Sequence, residues 1–275
     1  MNIGISIASE TPESFIVREA LSEYPFYRFT CVCDSYTDMA KVTLTADDRT
    51  FEGTVSGMDI SVDASGRLLY NAGAVDATCP DWDAVHPISF QNTPLSGIIK
   101  HYGFEVDGED DLSAEMSILN TTYSDANMVI AIANLGNSPA FVDFTKRKVH
   151  FLNRLYSQEP IEVMAGFQAT YGRPVSIGYI LSDPTATTYG GNASPHAVLQ
   201  GGRPILYSNG VMRNLAKNYN DLAALWARKQ MFAVPDQDIP LGSMVISELT
   251  GDKRLVVAKE STYTARGARY AYWVV

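Results

Sequence analysis

No phosphate-cradling glycine loop, zinc-protease helix, nucleophile elbow or paired-cysteine motif occurs in the 275 residues. The four histidines, His86, His101, His150 and His196, are scattered, and none stands at helical spacing from another metal-type ligand. Neither a metal nor a cofactor is therefore expected. Cysteine is scarce, with only Cys31, Cys33 and Cys79. The first two fall one residue apart in a strand-like run and share a face without zinc-knuckle spacing, so buried free thiols are the expectation. No apolar run approaches the roughly 18 residues of a membrane span, so no membrane anchor is expected. The opening residues, MNIGISIASETPESF, lack a basic leader followed by an apolar stretch, which argues against a secretory signal and for assembly in a cytoplasm. Basic residues are also in deficit. With 21 Lys and Arg against 31 Asp and Glu, the net charge of -10 opposes a dedicated nucleic-acid-binding surface.

What is present is an ordinary globular composition, 46% apolar and 19% charged, long enough for one large domain or two to three small ones. The charge is uneven. Residues 1–137 carry 6 basic against 21 acidic side chains, while residues 138–275 carry 15 against 10. Head-to-tail contact between copies would use such a contrast, and separate solvation of two surfaces would explain it equally well.

Residues 26 to 78 alternate apolar and polar side chains, in Phe29, Cys31, Cys33, then Val42, Leu44, with Asp47-Asp48 as a turn. Phe51, Gly53, Val55 and then Met58, Ile60, Val62 read as two further strands, and Ala64-Ser65-Gly66 turns the chain back into Leu68 and Tyr70. An antiparallel meander or barrel is predicted. From Phe90 the pattern changes to helical. Asn92 or Thr93 is placed as the cap of a helix with Pro94 in its first turn, Leu95, Ile98 and Ile99 as its buried stripe and Gly103 at its end. An acidic loop, Asp107 to Asp111, leads to a second helix capped by Ser124 or Asp125, with Met128, Val129, Ile132 and Leu135 at helical spacing, and then to a strand around Phe141 to Phe144. Later segments read as strands at Ile161 to Phe167 and Val175 to Leu181, an exposed loop at Thr185 to Pro195, a third helix over 211–232 and closing strands at Met244 to Leu249, Leu255 to Ala258 and Tyr270 to Val275. Neighbouring carboxylates, Asp81 with Asp83 and Glu109 with Asp110, read as solvated loop acids rather than the two differently placed carboxyls that a glycosidase needs.

The order of these segments resembles the baseplate hub proteins of contractile-tailed bacteriophages, which are related to the N-terminal region of the VgrG spike proteins of type VI secretion. Pro25 to Phe29, with Phe29 in the aromatic-led strand, precedes Phe51-Glu52-Gly53-Thr54-Val55, similar to the family's opening barrel. Phe90 to Ile99, including Ile98 and Ile99, followed by the helix that Ser124-Asp125 opens, is similar to the inserted domain. The helix carrying Trp226, then Pro240-Leu241-Gly242-Ser243 and Tyr263 to Tyr270, is similar to the closing barrel of the shorter, Mu-type hubs. The second helix departs from VgrG proteins in having Ala131, Asn134 and Asn137 where arginine and acidic residues are usual.

The resemblance implies a mainly β fold with an α+β insert: a first tube-like barrel at 1–88, an inserted domain at 89–157 and a second tube-like barrel at 158–275 that includes the helix 211–232. It implies a homotrimeric, non-enzymatic hub in the virion that joins a six-fold tail tube protein above to a three-fold central spike protein below. Baseplate wedge and tape-measure proteins are further candidate neighbours, and DNA would pass through the lumen without specific binding. A tail-associated cell-wall hydrolase and another tail structural protein, of the tube or distal-tail kind, are the alternatives. The hydrolase would require an aromatic-lined cleft, and the plain tube protein would lack the helices between residues 90 and 136.

Overall fold

The computed structural model describes residues 1–5, 14–33, 36, 40–78, 83–120, 123–169, 205–206, 209–226, 228–234 and 237–275. The strand expected at Val175 to Leu181, the loop at Thr185 to Pro195, Cys79, Asp81 and His196 lie outside them.

The first part of the chain is a run of strands: β1 (Ile3–Ile5), β2 (Ser14–Ala20), β3 (Phe26–Cys33), β4 (Lys41–Ala46), β5 (Arg49–Val62) and β6 (Leu68–Asp76). The two strands read at Phe51 to Val55 and Met58 to Val62 are one strand, β5, whose register against β6 shifts between Val55 and Gly57. The parity of the apolar positions changes there from odd to even, which is how one extra, bulged residue looks in sequence.

The middle part opens with β7 (Ile88–Pro94), α1 (Leu95–His101), β8 (Glu105–Asp107), a 3-10 turn at Glu109–Leu112 and β9 (Glu115–Asn120). It continues through α2 (Asp125–Ala133), β10 (Ala140–Asp143), β11 (Lys148–Phe151) and the single turn α3 (Leu152–Leu155). The cap expected for α1 is corrected. Asn92 and Thr93 are still in the strand, Pro94 holds the cap position without a side-chain bond, and the Leu95 amide donates instead to the Ala114 carbonyl at 2.9 Å. Ser124 does cap α2, accepting from the Asn127 amide at 3.4 Å.

The last part comprises β12 (Ile161–Val163), β13 (Gln168–Ala169), β14 (Ile205–Leu206), α4 (Asn209–Trp226), β15 (Gln230–Val234), β16 (Met244–Ser247), β17 (Lys253–Thr264) and β18 (Gly267–Val274). The third helix thus ends at Trp226, not 232, because residues 230–234 pair with Tyr270 to Val274 as a strand.

The fold is mainly β. Among the described residues, twelve strands join in one antiparallel-dominated sheet ordered β1-β4-β5-β6-β3-β2-β17-β18-β15-β13, with β12 and β16 attached beside β17. The strand sets from the two ends of the chain meet where all seven residues of β2 pair with Ala258 to Thr264 of β17. Two three-stranded sheets, β10-β11-β8 and β14-β9-β7, accompany the middle helices.

Among the described residues, three apolar cores follow from this topology. Phe15, Val17, Tyr27, Phe29, Cys31, Leu44, Tyr70 and Tyr263 fill the first. Val163, Phe232, Ile239, Val256, Tyr272 and Val274 fill another. The largest surrounds Leu95, Ile98, Ile99, Val129, Ile132, Phe141 and Phe151, and it also takes Leu215, Tyr219 and Leu222 from α4. The buried face of α4 packs into this core, which also takes Met244, Leu255 and Val257 from the closing strands, and the Asn218 amide donates to the carbonyls of Asn134 and Gly136, each at 2.9 Å. Apolar periodicity fixes which helix face is buried, not which element receives it.

Candidate functional site

Two features stand at the junction of the strand sets: a partly buried ionic network on the inner face of the sheet and a polar outer face that is half-buried to exposed among the described residues.

Glu19 and Lys259 are register partners across the β2–β17 pair. Lys259 is 7% exposed, and its ammonium lies 3.1 Å from Glu19 and 3.0 Å from Asp238. Asp238 also accepts from the Arg49 guanidinium, which donates to the Tyr263 hydroxyl at 3.1 Å. Burial alone would lower the Lys259 pKa, but the two carboxylates outweigh it and raise the value. For Asp238, burial works upward and is overcome by Arg49 and Lys259, so its pKa is lowered. The four groups form a chain of two positive and two negative charges in the order Glu19, Lys259, Asp238, Arg49. It links residues up to 214 positions apart, and its chemistry is structural.

The outer face is built by strict alternation. In β2, β3 and β17 the residues Phe15, Val17, Tyr27, Phe29, Ser261 and Tyr263 are buried, while their sequence neighbours are half-buried or exposed. Strand pairing lines up those neighbours in rows. One row runs Thr54, Val75, Phe26, Arg18, Glu260, Ala271, Ala233. The next runs Gly57, Gly73, Arg28, Ile16, Thr262, Arg269, and the third Asp59, Asn71, Thr30, Ser14, Thr264, Gly267. The side chains are small and polar apart from arginines and a few aromatics. Phe26 lies over Gly73, where a Cβ would stand 2.9 Å from the ring. The Arg28 guanidinium sits 5.6 Å from the Phe26 centroid and that of Arg18 5.7 Å from Trp273.

The positions singled out from sequence divide between core and surface. Phe29, Ile98 and Ile99 are buried. Phe51 is half-buried beside Phe15, Tyr27 and Tyr263, with centroids 5.6 to 6.0 Å apart. Gly53 is backed by Tyr27, Ala74 and the Val75 carbonyl, and Val55 precedes the bulge. Phe90 meets His101 edge-on at 5.3 Å. Asp125, beside the cap Ser124, binds His86 Nδ1 at 2.8 Å and holds the segment before β7 to α2. Trp226 is half-buried with the Lys229 ammonium 4.6 Å from its ring, Gly242 turns with φ +79°, and Tyr270 stacks on Tyr272 at 6.3 Å. These residues do not converge on one site. Arg18, Arg28, Arg269, Glu260 and the Lys259 network were not singled out. Alternation alone marks the arginines as outward-facing, but their assembly needs the strand order.

Asp83, Glu109 and Asp110 are exposed, and Glu109 pairs with Lys100. A groove of about 410 Å³ between α3 and α4, lined by Pro139, Leu152, Tyr156, Asp221, Leu225 and Arg228, has its acid, Asp221, already paired with Lys217 at 3.2 Å.

No protein-family model matches the sequence, and no curated protein matches it. Solved structures do share the fold. A tail protein from Neisseria meningitidis MC58 superposes with a TM-score of 0.64 at 10% identity, covering 99% of this chain and 95% of that one. The 43 kDa tail protein of prophage MuSo2 from Shewanella oneidensis gives the same score, identity and coverage. The c3393 protein of Escherichia coli, a type VI secretion component described as similar to the T4 tail proteins gp27 and gp5, matches with a TM-score of 0.60 at 10% identity over 100% of this chain and 76% of that one. The chain therefore has the fold of phage tail and type VI secretion proteins, the class that its order of motifs resembles.

Proposed function

We propose that this chain is a structural baseplate hub of a contractile tail. Three copies would form a ring that joins a six-fold tube to a three-fold spike, with the outer sheet face turned to the channel through which DNA passes. The observation that carries this reading is the β2–β17 pairing, which welds two strand sets into one continuous wall per subunit. Three such walls supply six strand sets, the count needed to match a six-fold tube on a three-fold base. The middle helices between the strand sets favour a hub over a plain tube or distal-tail protein. We assign 1–88 and 158–275 as the two tube-like units, 89–157 as the insert, and the virion baseplate as the location.

Contacts between copies would have to come from elsewhere than the last strand: Tyr270 to Val274 pairs with β15 on one side and β17 on the other, and Tyr272 and Val274 are fully buried within the chain. Native mass measurement and negative-stain imaging test the reading, with rings of three 30.1 kDa chains expected. A chain that remains monomeric at every concentration, with tube and spike proteins present, overturns it.

A further inference from the structure

We infer that the outer face of the sheet binds the phosphate backbone of duplex DNA without sequence preference, through Arg18, Arg28 and Arg269. The inference deepens the channel reading, on which it rests for its biological setting, but the binding itself requires only the exposed arginines of this face.

The three arginines are exposed side chains of β2, β3 and β18 on one face of the sheet. Among the described residues none of them makes an ion pair, whereas Arg49, Arg67 and Arg154 all have carboxylate partners. Arg18 and Arg28 are diagonal neighbours, roughly 7 to 8 Å apart at the backbone. Arg28 and Arg269 stand in one row three strands apart, about 14 Å at the usual strand spacing. Duplex DNA places a phosphate every ~3.4 Å along each strand, so such a stripe meets several. The face also carries the carboxylates Glu260 and Asp59, leaving it net +1 on a chain of net charge -10.

A protein partner is the less favoured occupant. The centre of a stable protein interface is apolar and poor in charge. Here the middle rows are Thr30, Ser14, Thr262, Thr264, Asn71 and glycines, interrupted by Ile16, Asp59 and the arginines. Small hydroxyl and amide side chains let a charged rod approach and leave again, and with few guanidinium contacts the attraction is weak and strongly screened.

The test uses the whole chain and a fluorescein-labelled 20-base-pair duplex of mixed sequence, read by anisotropy between about 20 and 200 mM salt, beside a second duplex of unrelated sequence. Equal binding of the two duplexes at low salt is expected. The triple variant Arg18→Gln/Arg28→Gln/Arg269→Gln should bind about tenfold or more weakly, with a salt slope smaller by about 2 to 3, whereas Lys253→Gln, away from the face, should leave both unchanged. Absence of binding by the wild type at ~20 mM salt overturns the inference, as does an unchanged slope in the triple variant. If the triple variant instead loses self-association while the wild type ignores DNA, the face is a protein interface and the inference fails. The oligomer mass, measured on the same samples, reports on the hub reading separately.

Discussion

Lys259 stands 3.0 Å from Asp238, and with that contact the closing part of the chain is tied to the seam where its two strand sets meet. Lys259 is opposite Glu19 of β2 and Asp238 reaches Arg49 of β5, so four distant segments share one chain of alternating charges. The central pair, Lys259 and Asp238, each has two oppositely charged partners, which is the condition under which buried ions are tolerated.

Removing one member should therefore cost more than a surface ion pair would. Lys259→Met is expected to destabilise the fold by about 3 kcal/mol, because Glu19 and Asp238 are left facing each other without compensation. Urea unfolding at pH 7 measures it, and a loss below about 1 kcal/mol would class the network with exposed pairs.

The pH dependence follows from the two shifts. The Asp238 pKa is lowered, so its contribution is present above the ordinary carboxylate range and is lost as pH falls through the still lower folded value. The Lys259 pKa is raised, so its contribution is present below 10.5 and is lost only as pH rises through the higher folded value. The difference between wild type and Lys259→Met should accordingly be flat from about pH 5 to 10 and shrink in acid, as urea midpoints across that range will show.

Gly53→Ala tests the tightest contact in the first core. An added Cβ would stand 2.8 Å from the Tyr27 ring, 3.0 Å from the Ala74 Cβ and 3.1 Å from the Val75 carbonyl oxygen, which belongs to a paired strand and cannot withdraw. A loss of about 1 to 3 kcal/mol is expected from overpacking, read as a lower thermal midpoint.

On α4 the cost of truncation should follow the core it enters. Leu215, 1% exposed among the middle-helix residues, should lose about 2 to 5 kcal/mol as Leu215→Ala. Half-buried Trp226, covered by Lys229, should lose less as Trp226→Ala than the roughly 3 kcal/mol minimum of a core tryptophan. Equal losses at the two positions in denaturant titrations would show that the helix end is as firmly packed as its middle.

Cys31 should resist alkylation. Burial first, and the neighbouring Cys33 second, push its thiol up to about 12, and both cysteines are buried. Peptide mapping after iodoacetamide treatment at pH 8 should find residues 31 and 33 unmodified in the folded chain and modified in urea.

Much of this molecule was written in local pattern. Alternation marked Phe29, Cys31 and Cys33 as core and Ser124 announced its helix, because period and capping act within a few residues, while the parity change after Val55, which by itself reads as a break between two strands, is a bulge in one. The order of such segments was enough for the resemblance to tail hubs. The cap of α1, the end of α4 and the core that α4 enters were decided by partners far away: Ala114, Tyr270 to Val274, and Asn134 with Gly136. The same holds for charge. A net value of -10 spoke against contact with DNA, yet strand order gathers Arg18, Arg28 and Arg269 onto one face. Composition sums charges over the whole chain, whereas a ligand meets only those that register and topology bring to the surface before it.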